Sequence, residues 1–109
     1  MASRDRLRGT LDVLILKTLA DGPRHGYAIC RWLEQTSSDE LHVEEGSLYP
    51  ALYRLEGREL IRSRERMSEL GRPAKFYEIT ATGRRHLAKE SAEWLAFSRT
   101  VSRVLKGRS

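Results

Sequence analysis

A chain of 109 residues and 12.5 kDa is one domain, or one domain with an appended helix. Its 39% hydrophobic and 32% charged residues suit a soluble globule and exclude a disordered tail. One cysteine, Cys30, excludes a disulfide framework and a cysteine-rich zinc site within one chain, and fits a reducing, cytoplasmic setting.

Residues 1–9 read as a basic arm with Arg4, Arg6 and Arg8. Thr10 suits the N-cap of a first helix, with Asp12 in its first turn where the helix dipole favours an anion. Leu11, Val13, Leu14, Ile15, Leu16 and Leu19 then cover most of the helix circumference, which requires burial on two sides. This stretch, Leu11 to Ala20, is the longest apolar run. It carries Asp12 and Lys17 and falls well short of the ~20 residues a membrane span needs, so no membrane partner is expected. It also lacks the A-x-A site of a secretory leader. Asp21-Gly22-Pro23 ends the helix.

A second helix is predicted from about His25 to Thr36, on the spacing of Ala28, Ile29, Trp32 and Leu33. Leu41-His42-Val43 alternates like a short strand. A third helix starts near Gly46-Ser47, with Ser47 as N-cap and Glu44 and Glu45 as partners of its dipole. Pro50 then falls at the third helical position, where a missing N–H costs little. Leu48, Leu52 and Leu55 form the inward stripe with Ala51 beside it, and Tyr49, Pro50, Tyr53, Arg54 and Gly57 point mostly away.

Ile61 to Met67 reads as a strand with Ser63, Glu65 and Met67 on one face and Arg62, Arg64 and Arg66 on the other. Residues 68–73 form a turn, and Lys75 to Ile79 return as the second strand. Thr80 caps a last helix of about 25 residues, roughly 38 Å long. Leu87, Trp94 and Val101 recur along it every seven residues, flanked by Phe97, Val104 and Leu105. Docking on its own chain would leave the far part of such a rod unsupported, so the simplest burial is against a second copy.

Three helices followed by a hairpin is the order of a winged helix-turn-helix. The expected fold is mainly α with a small β-hairpin. Residues 1–80 form the DNA-binding unit with its arm, and residues 81–109 form a dimerisation helix.

At this point the residues resemble a known family. Leu11-Asp12-Val13-Leu14-Ile15-Leu16, with Gly22-Pro23-Arg24-His25-Gly26-Tyr27, is similar to the opening of the PadR-like transcriptional regulators. So are Glu45-Gly46-Ser47-Leu48-Tyr49-Pro50-Ala51-Leu52 and Gly71-Arg72-Pro73-Ala74-Lys75-Phe76-Tyr77. The likeness runs from about residue 7 to 105. It implies a homodimeric DNA-binding regulator, usually a repressor, whose last helix packs across the dimer. Two positions depart from the family pattern: Glu69 stands in the wing tip, and position 74 is Ala where relatives often have a basic residue.

The charge balance fits DNA. Twenty Lys+Arg against fifteen Asp+Glu leave +5, with a pI of about 9.8. Residues 1–40 net zero, 41–61 net −2 and 62–109 net +7, so the cationic excess lies wholly downstream of residue 61. Ser47, Tyr49, Pro50, Tyr53 and Arg54 are the candidate reading surface, through hydroxyls, an apolar face for thymine methyls, and a forked guanidinium for guanine or phosphate. The phosphate grip falls to Arg72 and Lys75 beside the turn, and to the helix N-terminus at His25, Gly26 and Tyr27. The arginine face of the first strand reads more simply as a solvated edge.

Trp94 is either an anchor of the dimer core or a stacking platform for a small aromatic or cationic effector, with Leu7, Leu11 and Phe97 as neighbours. His25, His42, His86 and Cys30 are not spaced as metal ligands, and no cofactor or catalytic signature occurs, so an enzyme is not expected. The alternative is a winged-helix module that binds protein, favoured by the acidic balance around the third helix.

Overall fold

The computed structural model describes the backbone of residues 2–107 and the side chains of residues 9–107. Seven elements follow in order: α1 (Ala2–Thr18), β1 (Arg24–His25), α2 (Gly26–Thr36), α3 (Glu45–Gly57), β2 (Ile61–Met67), β3 (Pro73–Ile79) and α4 (Ala81–Lys106). The strands form one antiparallel sheet in the order β1-β3-β2. This is the mainly helical winged architecture expected from the element order.

α1 is the central helix. Ile15, Leu16 and Leu19 are fully buried, and Leu11 and Leu14 pack against the same core. Thr18 is buried too, its hydroxyl donating to the Ile15 carbonyl at 2.8 Å. Arg24 donates Nε–H to the Thr18 carbonyl at 2.8 Å, capping the helix end and fixing the chain as it enters β1. From the other elements Ile29, Leu33, Leu48, Leu52, Leu55, Ile61 and Ile79 close the core.

Three expectations are corrected. The basic arm is not an extended lead-in: the backbone is helical from Ala2, and Thr10 lies within α1. Arg, Leu and Ala are strong helix formers, and the weakest position, Gly9, costs only about 1 kcal/mol. The short strand at 41–43 does not form. β3 is already paired on both edges, with β1 and β2, and the segment is held locally instead. The Leu41 N–H donates to Ser37 Oγ at 2.9 Å, and His42 Nδ1 meets Glu34 Oε2 at 2.9 Å.

The third correction concerns α3. Its first turn closes on the Glu44 carbonyl, which accepts from the N–H groups of Ser47 and Leu48 at 2.9 Å each. Glu44 is the N-cap residue, without a side-chain cap bond, and Ser47 lies inside the helix. Pro50 is therefore in the second turn, where its ring takes away the helical donor to the Gly46 carbonyl.

The last helix begins as expected. The Thr80 hydroxyl accepts from the Gly83 N–H at 3.0 Å and donates to the Glu59 carbonyl at 2.8 Å, while the Thr80 N–H donates to the Leu60 carbonyl at 3.0 Å. α4 is thereby joined to the α3–β2 corner. Gly83 is needed there, because a Cβ would run into the Leu60 carbonyl. Beyond this turn α4 packs against α1, with Leu87 on the core, and the molecule is 58 × 29 × 27 Å in extent.

Candidate nucleic-acid interface

β1 is two residues long, but it fixes the position of α2. Arg24 pairs with Tyr77 and His25 with Phe76, so the first turn of α2 is held beside the returning strand of the wing. His25 is also the N-cap of α2: its Nδ1 accepts from the Ala28 N–H at 3.1 Å. The ring packs edge-on against Phe76, with centroids 5.3 Å apart.

The wing turn is closed by a bond from the Ser68 N–H to the Arg72 carbonyl at 2.7 Å. Gly71 takes a φ of +77° in it, the left-handed conformation that favours glycine. Between this turn, α2 and α3 lies an open groove of about 640 Å³. His25, Gly26, Tyr27, Tyr49, Arg72 and Lys75 all line it, so six of the candidate contact residues converge on one concavity. Lys75 and Arg72 stand exposed at its wing side, and Lys75 Nζ lies 5.8 Å from the Tyr77 ring centre. Glu69 and Ala74, the two departures from the family pattern, line the same wall. Burial, with Glu45 nearby, pushes the Tyr49 phenol above its ordinary range, so it is a neutral hydroxyl at physiological pH.

On the exposed face of α3, outside the groove, stand Ser47, Pro50 and Tyr53; Tyr53 is 81% exposed. Arg54 is placed differently. Its guanidinium turns under the helix to Asp12 Oδ1 at 3.1 Å, tying α3 to α1. Asp12 was legible as a charge inside an otherwise apolar helix, but its pairing with a residue 42 positions away was not. Arg62 and Arg64 are also engaged, both donating to Glu78 Oε2, at 2.6 and 2.9 Å. Arg66 lies over the Phe76 ring at 4.9 Å.

A second, apolar groove of about 380 Å³ runs between α1 and α4, lined by Val13, Leu14, Leu41, Trp94 and Leu95 among others. Trp94 is in it; Leu11 packs against the core and Phe97 stands exposed, and neither is among the residues lining this groove. The side chain of Leu7 lies outside the described residues. Burial, then Glu45 and Glu34, push the Cys30 thiol up, away from the reactive thiolate.

The sequence model of the transcriptional regulator PadR-like family matches residues 15–89, the span from the buried end of α1 to the first turns of α4. The chain belongs to this family. Transcriptional regulator Rv3488 of Mycobacterium tuberculosis is 34% identical over 107 residues, covering 97% of this chain and 92% of that protein. Among solved structures, a PadR-like transcriptional regulator from Bacillus cereus superposes with a TM-score of 0.81 at 32% identity, covering 95% of this chain and 99% of that one. A PadR-like transcription factor from Bacteroides fragilis gives 0.77 at 30% identity, over 93% and 95% of the two chains. This PadR-like chain is thus a winged-helix transcriptional regulator, in a family of regulators and not of enzymes. No described helix is long and apolar enough to cross a membrane.

Proposed function

We propose that this PadR-like regulator acts as a homodimer that represses transcription by binding an inverted-repeat operator in double-stranded DNA. The single observation that carries this reading is the groove in which the α2 N-terminus, Tyr49 and the cationic wing residues Arg72 and Lys75 meet beside the exposed face of α3. A helix N-terminus and two cations grip phosphates, and the adjoining helix face presents Ser47, Tyr49, Pro50 and Tyr53 to base edges. Arg54 is assigned to Asp12 in this scheme, as the tie that holds α3 on α1, and not to a base.

A second copy covers the apolar face of α4, where Phe97, Val104 and Leu105 stand exposed. The paired α3 helices then address half-sites about one helical turn apart, or a multiple of it. Trp94 in the α1–α4 groove provides a stacking surface for a small planar aromatic or cationic effector, which relieves repression by favouring another spacing of the two subunits.

Selection of duplexes from a random pool tests the reading. The expected outcome is one palindromic motif, with affinity falling steeply between low and moderate salt. Arg72→Ala or Lys75→Ala weakens binding to all sequences alike and reduces the salt slope by about 1, whereas Tyr49→Ala also loses operator preference. Recovery of no motif, together with salt-independent binding, would leave a protein-binding module as the better account. Quenching of Trp94 fluorescence by planar cations, read in Trp32→Phe so that Trp94 is the one tryptophan of the sequence, tests the effector.

A further inference from the structure

Gly26 opens α2 and is buried, yet its backbone is not in the left-handed region. Conformation therefore does not require glycine at this position. Packing does: a Cβ placed there would overlap the Tyr49 hydroxyl and lie 2.9 Å from Cζ and 3.2 Å from Cε1 of the same ring. The three nearest atoms all belong to the far end of that one side chain. At Gly83, by contrast, the obstruction includes backbone, the Leu60 carbonyl. A side chain at 83 would break the fold. One at 26 would leave the fold and move the tyrosine.

Tyr49 rises from α3, is 45% exposed, and reaches across to the first turn of α2 on the floor of the groove. Arg72 and Lys75 line the same groove. We propose that Gly26 is a positioning residue for operator readout: by presenting no Cβ it seats Tyr49 across the α2 N-terminus and so fixes where the phenol meets DNA. The inference rests on the assignment of α3 and this groove to DNA.

The test uses the full chain and the duplex that the wild type recovers from a random pool. In the free protein, the ¹³C-labelled ring resonance of Tyr49, assigned by its loss in Tyr49→Ala, shifts in Gly26→Ala while that of Tyr53 stays. Gly26→Ala weakens operator binding about tenfold or more and leaves the thermal midpoint near that of the wild type. In a Tyr49→Ala background the added Gly26→Ala changes operator affinity less than about twofold, since residues acting through one another do not add.

An unmoved Tyr49 resonance overturns the proposal. So does an operator loss of the same size in both backgrounds, because the new methyl would then be meeting DNA itself. If the wild type recovers no duplex, the DNA assignment fails and the readout role with it, while the ring resonance still decides the seating of Tyr49.

Discussion

Asp12 and Arg54 meet at 3.1 Å in a partly buried pocket between α1 and α3. Burial raises the Asp12 carboxyl above its ordinary 3.8 by more than Arg54, Arg58 and His86 lower it. The pair is thus a device for fixing how α3 sits on α1 more than a source of stability. A carboxyl with a raised folded pKa holds its proton more tightly in the folded chain than in the unfolded one. Its contribution therefore favours folding at low pH and is lost as pH rises from 3.8 through the folded value. Asp12→Asn keeps an oxygen facing Arg54. It flattens that part of the pH profile and leaves neutral-pH stability within about 1 kcal/mol of wild type. Asp12→Ala strands the guanidinium and costs about 1.5–3 kcal/mol. Urea midpoints measured from acid to neutral pH read both.

At the scale of elements, α3 and the wing each carry a testable feature. Pro50 in the second turn of α3 removes one helical bond and crowds the Gly46 carbonyl. Pro50→Ala should raise stability by about 1–2 kcal/mol, less than the full cost of an interior proline because the freed unfolded chain offsets part of it. It should also weaken operator preference, because Pro50 stands on the exposed reading face. On the wing, Glu78 gathers Arg62 and Arg64, and the bond from Arg62 foremost holds its carboxyl below the ordinary 4.5. With a depressed folded pKa, that contribution is present above 4.5 and is lost as pH falls through the folded value. Glu78→Gln abolishes this acid limb. It should leave the salt slope of DNA binding unchanged, because the grip is assigned to Arg72 and Lys75 and not to the strand arginines. A steeper slope would move the arginine ladder into the interface.

The whole molecule ends in a helix with no covering on much of its length. Val104 is 74% and Leu105 81% exposed, on a rod that extends a body only 29 × 27 Å across its shorter axes. Changing both to Glu removes no contact of the single-chain core, so the fold stays intact. The expected result in sedimentation is a shift from dimer to monomer at micromolar concentration, with operator affinity falling by two or more decades as the two half-sites are uncoupled. An unchanged dimer would place the subunit contact elsewhere on α1 or α4.

The element types, the buried stripe of α3, the wing hairpin and the Thr80 cap could be read from the sequence. They follow from local periodicity, turn residues and capping, which act over a few positions. The helical run before Thr10 and the earlier start of α3 were missed for a local reason as well: propensity and backbone closure outweighed the nearest good cap. Packing alone decided the rest. β1 exists because β3 had a free edge for Arg24 and His25. Arg54 faces inward because α1 brings Asp12 under it, and Gly26 matters because Tyr49 lies across it. Each of these joins residues far apart in the chain, and no periodicity in a single segment can record which distant partner a side chain will meet.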